Sequence, residues 1–119
     1  MRVIINDISI YGYHGVLPSE QKLGQEFLVS LLLEFELPDS GSDSLEEVLD
    51  YRLAIAAVRE IIGGRPCKLL ETLARRIAEK LLSLPGAREV TVKIGKPHPP
   101  IPGVKGGVFV EITRRQETP

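Results

Sequence analysis

A long alternation of apolar and polar residues lies in the first third of the chain. Every odd position from Phe27 to Leu37 is apolar, which is the period expected of a β-strand that buries one face. A strand of this length spans roughly 35 Å, which is long for a single strand. The chain therefore has to fold around a sheet in which this strand takes part.

Shorter apolar patterns predict three more strands. One precedes the long alternation and changes phase near Asn6-Asp7, which indicates a β-bulge. The link from Gly12 to Gly24 is long for a hairpin and contains Gly and Pro, so we expect a functional loop there. The apolar positions that define the three strands are Val3, Ile5, Ile8 and Ile10, then Val90, Val92 and Ile94, then Val108, Val110 and Ile112.

Two helices are predicted between the second and third strands. Asp50 is expected to cap the first, whose apolar residues repeat at helical spacing until Gly63-Gly64. The second follows the Arg65-Pro66 break and stops before Pro85-Gly86. The order ββααββ predicts an α+β fold in which an antiparallel four-stranded sheet carries two helices on one face.

The edges of such a sheet predict assembly. Two helices cover only one face, and a long edge strand presents unpaired backbone N–H and C=O groups. Closed cyclic assembly pairs these edges and removes the exposed groups. We therefore expect a homo-oligomer whose subunits close into a barrel.

Composition excludes several classes of function. The 119 residues predict a single domain, 1–119, with 15 Lys and Arg against 16 Asp and Glu. Without a block of like charge, nucleic-acid binding is not expected. Met1 leads directly into a strand, and no apolar run reaches membrane-spanning length, so a cytoplasmic protein without membrane contact is expected.

Cysteine and histidine are scarce. Cys67 is the single cysteine, which rules out an intrachain disulfide. Together with His14 and His98 it falls short of the ligands that zinc usually takes from one chain, so no metal site is predicted. His14 is expected to be a hydrogen-bonded histidine that orders its turn, and His98 is expected to be exposed.

Four segments, in order, are similar to the dihydroneopterin aldolase family: IYGYHGVLPSEQKLGQEF, LDY, LLETLA and KPHPPIPG. The resemblance covers nearly the whole chain. It implies the tunnelling fold, in which subunits surround a central channel, here as tetrameric rings stacked into an octamer. It also implies a small-molecule pterin substrate and no cofactor.

The resemblance implies a role for six residues. Glu71 matches the carboxylate that accepts hydrogen bonds from the pterin N3–H and 2-amino groups, a geometry suited to two acceptor oxygens. Lys96 matches the catalytic base, and Tyr51 matches the tyrosine that shuttles a proton from the neighbouring subunit. The remaining residues implied in substrate binding are Glu20, Gln25 and Leu70.

Without the resemblance, the same residues have ordinary structural interpretations. Glu71 is a charge favoured by the dipole at a helix start, Lys96 is a solvated surface lysine, and Tyr51 is an amphipathic residue opening a helix. Glu20 and Gln25 are polar loop residues. These interpretations stay open on the residues alone.

The implied reaction is retro-aldol cleavage of 7,8-dihydroneopterin in folate biosynthesis. The cleavage yields 6-hydroxymethyl-7,8-dihydropterin and glycolaldehyde. The resemblance also implies a second activity, epimerisation of the substrate at C2′. The C6=N5 imine of the substrate can accept the electron pair left on C1′, so neither a metal nor a lysine Schiff base is needed.

Two alternatives remain. A dihydroneopterin triphosphate epimerase would share the fold and the pterin anchor, but a triphosphate favours several cationic groups. The loop from Tyr13 to Gly24 carries one, Lys22. The other alternative is a pterin- or purine-binding module that keeps Glu71 and has no turnover.

Overall fold

The computed structural model describes residues 1–36, 41, 43 and 50–117. Within these residues the chain forms four strands and three helices. In order they are β1 (Arg2–Gly12), α1 (Pro18–Leu23), β2 (Gln25–Phe35), α2 (Tyr51–Ile62), α3 (Leu70–Leu82), β3 (Ala87–Lys96) and β4 (Val108–Arg115). The predicted ββααββ order is confirmed, with α1 as an addition that the sequence pattern did not predict.

The short helix α1 divides the predicted loop between the first two strands. Pro18 occupies its first turn, where the missing N–H costs nothing. The carboxylate of Glu20 accepts a hydrogen bond from the backbone N–H of Leu17 at 3.3 Å, which is half of a capping box. The link predicted as a functional loop therefore contains one short helix, which the sequence pattern did not predict because six residues are too few to show a helical period.

The four strands form one antiparallel sheet in the order β1-β2-β3-β4. The predicted bulge in β1 is confirmed, because its pairing with β2 shifts between Ile5 and Ile8. Asp7 adopts φ +54° there, and its backbone N–H donates to Ser30 Oγ at 3.0 Å. The sheet therefore keeps apolar residues on one face on both sides of the bulge.

Helices α2 and α3 cover that face. The odd positions of β2 from Phe27 to Phe35 are buried there, while Leu37 lies outside the described residues. Asp50 caps α2 as predicted, accepting from the backbone N–H of Arg52, and Gly63 ends the helix. The helices contribute Ala54, Ala57, Val58, Ile62, Leu73, Ala74, Ile77, Ala78 and Leu81 to the core.

The opposite face of the sheet carries no helix among the described residues. A shallow groove of about 510 Å³ runs across it, with Lys93, Thr91, Glu111 and Thr113 in its wall. Strands β1 and β4 are the edges of the sheet. Closure of several copies into a barrel stays a prediction. No described helix is both long and apolar enough to cross a membrane.

Candidate active site

The end of β3 meets α1 through one ion pair. Nζ of Lys96 lies 2.5 Å from Oε2 of Glu20, and the two residues are 76 positions apart in sequence. Their side chains are 16% and 7% exposed, so the pair is largely removed from solvent. A contact this short and this buried fixes both charged groups in place.

The Glu20 carboxylate has two further donors. Gln25 Nε2 lies 2.8 Å from Oε2, and the backbone N–H of Leu17 bonds to Oε1. Burial by itself raises the pKa of Glu20, but the hydrogen bonds from Lys96, Gln25 and Leu17 outweigh it and lower the pKa. Glu20 is therefore an ionised carboxylate at neutral pH.

A glycine makes room for this carboxylate. Gly15 has φ +150°, and a Cβ atom at this position would collide with the carboxyl group of Glu20. Its backbone N–H donates to the carbonyl of Cys67 at 2.8 Å, which ties the turn after β1 to the linker before α3. Glycine at position 15 therefore leaves the space that the Glu20 carboxylate occupies when it binds Lys96.

A cavity of about 270 Å³ opens beside the ion pair. Its walls are mostly apolar, with the Glu20 carboxylate and the Lys96 amino group as the charged groups, which is the usual composition of a site for a small molecule. The lining residues are Leu17, Glu20, Leu70, Lys96, Pro99, Pro100, Ile101 and Val108.

The structure brings four of the six expected site residues together. Glu20 and Lys96 meet in the cavity wall, Gln25 binds Glu20 from behind, and Leu70 lines the cavity from the first position of α3. Proline-rich residues after Lys96 form the facing wall. Sequence reasoning gave these residues no place in the site, although the apolar Ile101 among prolines was an available signal for a cavity wall.

The other two expected residues are outside the cavity. Tyr51 opens α2 with 56% of its surface exposed, and Glu71 is exposed in the first turn of α3, next to Leu70. Neither is among the lining residues of the cavity in one copy. Their roles stay predictions, and for Tyr51 the expected role lay in the site of a neighbouring subunit.

His14 and Cys67 form a buried cluster between the turn after β1 and the linker before α3. The His14 ring is 1% exposed, and its Nδ1 accepts from the backbone N–H of Cys67 at 2.9 Å. The predicted hydrogen-bonded role of His14 is confirmed. The thiol of Cys67 accepts from Nη1 of Arg76 at 2.9 Å. By contrast, the His98 side chain is 84% exposed, as predicted, with Nε2 3.9 Å from Oε1 of Glu26.

The described part of the chain contains no group of three or more His, Cys, Asp and Glu residues placed to hold a metal ion. The charged residues that line the cavity are Glu20 and Lys96. A carboxylate held by a lysine in a mostly apolar cavity can bind hydroxyl groups and move protons between them.

Known proteins resemble the chain along its length. The family model described as dihydroneopterin aldolase matches residues 3–113. The dihydroneopterin aldolase of Bacillus subtilis is 43% identical over 117 residues, covering 97% of this chain and 98% of that protein. Both coverages are nearly complete, so the similarity is not confined to one motif.

Two solved structures of dihydroneopterin aldolases have the same fold as this chain. The E. coli dihydroneopterin aldolase in complex with neopterin superposes with a TM-score of 0.85 at 25% identity, covering 96% of this chain and 98% of that one. A dihydroneopterin aldolase from Burkholderia thailendensis bound to guanine gives 0.81 at 27% identity, with coverages of 98% and 92%. The relationship therefore extends from sequence to fold.

Proposed function

The chain belongs to the dihydroneopterin aldolase family, whose reaction is aldol cleavage of dihydroneopterin in folate biosynthesis, and we propose that Lys96 and Glu20 carry that chemistry here without a metal or a Schiff base. The observation that carries the proposal is the ion pair in the wall of a mostly apolar cavity. The substrate is 7,8-dihydroneopterin, and the products are 6-hydroxymethyl-7,8-dihydropterin and glycolaldehyde.

The dihydropterin ring binds in the cavity with Leu70 against it. Glu71 follows Leu70 and supplies two carboxylate oxygens to the ring N3–H and 2-amino group. Relatives in complex with neopterin and guanine support this class of ligand, since both molecules present adjacent ring N–H and amino donors. The apolar walls suit the planar part of the ring.

Cleavage requires a base at the side chain of the substrate. Loss of the 2′-hydroxyl proton forms the aldehyde carbonyl as the bond between C1′ and C2′ breaks. The electron pair moves from C1′ into the C6=N5 imine and gives an enamine. Glycolaldehyde leaves, and protonation of C1′ completes the second product. The electron sink belongs to the substrate, so the protein has only to orient the ring and move protons.

Lys96 is proposed as the base that receives the 2′-hydroxyl proton. Only a neutral amine can accept a proton, whereas Lys96 is held in an ion pair with the Glu20 carboxylate at 2.5 Å. Binding of the substrate therefore has to change this pair. We propose that a substrate hydroxyl donates a hydrogen bond to the Glu20 carboxylate and accepts one from Gln25, in place of Lys96. Lys96 then releases its extra proton to solvent and faces the 2′-hydroxyl as a neutral amine.

Tyr51 is proposed to protonate C1′ from a second copy of the chain. Its exposure at the start of α2 is consistent with a surface that another subunit covers. Leu53, two residues further along α2, and Leu69, just before α3, are also more than half exposed. Barrel assembly as tetrameric rings stacked into an octamer belongs to the same proposal, as does a cytoplasmic location.

Substrate comparison tests the proposed function. Purified protein is incubated with 7,8-dihydroneopterin and, separately, with its triphosphate, and products are separated by chromatography. We expect glycolaldehyde and 6-hydroxymethyl-7,8-dihydropterin from the first substrate. The cavity offers Lys96 as its one lining cation, so the triphosphate should react poorly. Preferred epimerisation of the triphosphate would identify the epimerase, and binding without product would identify a binding module.

A further inference from the structure

We propose that His14, as a neutral imidazole, is a positioning residue: it fixes the Glu20–Lys96 pair relative to the end of α2 and the linker before α3. This inference rests on the proposed function. His14 lies in the turn between β1 and α1 and contacts neither the cavity nor the substrate position. Its hydrogen bonds reach three other segments of the chain, which is the basis of the proposal.

The ring nitrogens bind one donor and one acceptor. Nδ1 accepts from the backbone N–H of Cys67, so the proton of the neutral ring is on Nε2. Nε2 in turn donates to the carbonyl of Ile62 at 2.6 Å. Ile62 is the last residue of α2, and Cys67 lies in the linker before α3. One ring thus joins the turn after β1 to the connection between both helices.

The backbone of His14 extends the network to the ion pair. Nε2 of Gln25 lies 3.3 Å from the His14 carbonyl and 2.8 Å from Oε2 of Glu20. The same carboxylate oxygen binds Lys96. A displacement of His14 therefore moves the amide that orients Glu20, and misplacement of a reacting group by about 1 Å can cost on the order of 100-fold in rate.

The charge state of the ring decides whether this network forms. Protonation would place a hydrogen on Nδ1, where it would face the N–H of Cys67, and two donors cannot bond. Burial lowers the pKa of His14, the bond to Ile62 opposes that shift, and the Arg76 guanidinium lowers the pKa further. The neutral ring is consequently the form that fits at neutral pH.

Few charged or titratable groups face this ring. The Arg76 guanidinium and the Cys67 thiol approach from α3 and its preceding linker. The Glu20 carboxylate on α1 is connected to His14 only through Gln25, whose amide binds both the carboxylate and the His14 carbonyl. From β2 the ring meets the edge of Phe27 at 5.4 Å between centroids. A positive charge on His14 would thus be added close to Arg76 in an apolar pocket.

Ring nitrogen NMR tests the geometry directly. Long-range proton–nitrogen spectra of the wild-type protein should show His14 as the Nε2–H tautomer at pH 7.5, with protonation only at more acidic pH. The exposed His98 supplies the second signal, and the His98→Asn variant identifies it. An Nδ1–H tautomer or a charged His14 at pH 7.5 would overturn the inference.

Kinetics distinguish positioning from a merely structural role. His14→Phe keeps a ring of similar size and removes both side-chain hydrogen bonds, so kcat should fall roughly 10–100-fold while KM changes little. His14→Gln can still donate to Ile62 and should recover part of the loss. Leu33→Ala is the matched control, because Leu33 is fully buried in the same core and takes no part in the hydrogen-bond network of His14; its kcat should match wild type.

Wild-type turnover is measured first, because its absence would count against the proposed function itself. With normal wild-type turnover, a kcat of folded His14→Phe within twofold of wild type would overturn this inference alone. The same conclusion would follow if Leu33→Ala lost as much kcat as His14→Phe at equal loss of stability.

Discussion

The ammonium of Lys96 lies 2.5 Å from the carboxylate of Glu20 and joins the last residue of β3 to the helix α1. Each charge is stabilised by the other, because removal of one partner would leave an unpaired charge in this largely buried position. Substitution of either partner therefore affects both stability and the proposed proton transfer.

Glu20→Gln is expected to lower stability at neutral pH by about 1–3 kcal/mol, because a neutral amide cannot replace the charge-assisted bonds. The folded pKa of Glu20 is lowered from 4.5. Its contribution is therefore complete above about pH 4.5 and is lost as pH falls through the folded pKa. Urea unfolding at pH 7 and at progressively lower pH measures the difference between the variant and wild type.

The exposed Glu60 of α2 supplies the control for this substitution. Glu60→Gln makes the same chemical change on the surface, where the free energy of unfolding should change by less than about 0.5 kcal/mol. An equal effect of both substitutions at pH 7 would mean that the Glu20–Lys96 pair does not stabilise the fold.

Glu71→Ala is expected to weaken ring binding. The pterin N3–H and amino donors would lose a charged acceptor, a loss of roughly 1.5–3 kcal/mol. Calorimetry should show substrate and 6-hydroxymethyl-7,8-dihydropterin losing affinity together. Glu79→Ala, later on the exposed surface of the same helix, is the control. Unchanged product affinity in Glu71→Ala would leave Glu71 as a helix-start charge only.

Lys96 and Tyr51 are expected to act at different steps. Lys96→Ala should slow cleavage roughly 10²–10⁴-fold, the usual cost of losing a general base, with a smaller change in product affinity. Tyr51→Phe retains the ring and loses the hydroxyl, so the enamine should form and wait for a proton. Rapid quench should then show glycolaldehyde appearing before 6-hydroxymethyl-7,8-dihydropterin.

Tyr13→Phe removes another exposed tyrosine hydroxyl and serves as the control for Tyr51→Phe. Its two products should appear together at the wild-type rate. If Tyr51→Phe behaves in the same way as this control, Tyr51 is not the donor to C1′.

Mixing of inactive variants tests whether two copies share a site. Tyr51 is at the start of α2 and outside the cavity that contains Lys96. Tyr51→Ala and Lys96→Ala proteins, refolded together, should therefore regain part of the wild-type activity at interfaces that carry both native residues. Mixed oligomers confirmed by mass spectrometry but lacking activity would argue that each site belongs to one copy.

Periodicity predicted the sheet and the two long helices because their buried faces repeat over enough residues to be recognised. The run from Phe27 to Phe35 is the clearest case. Helix α1 was not predicted, because its six residues, which begin with a proline, are too few to show a helical period. The ion pair between Glu20 and Lys96 was not predicted either, because the two residues are 76 positions apart in sequence and only the folded sheet brings them together.

The family resemblance selected Glu20, Gln25, Leu70 and Lys96, and one folded copy assembles these four. Local pattern had no means of choosing them, because Glu20 and Gln25 look like ordinary polar loop residues in the sequence. Tyr51 and Glu71 lie at exposed positions of the single copy. Their roles stay predictions, and the role expected of Tyr51 depends on contacts between copies, which leave no periodic pattern in the sequence.

The most direct test of metal-independent cleavage is the turnover of 7,8-dihydroneopterin by chelator-treated protein that has been verified to be free of metal. Because the C6=N5 imine of the substrate accepts the electron pair, the rate of glycolaldehyde release should equal that of untreated protein, with one equivalent of 6-hydroxymethyl-7,8-dihydropterin formed. Loss of turnover after chelation, restored by zinc, would contradict the account.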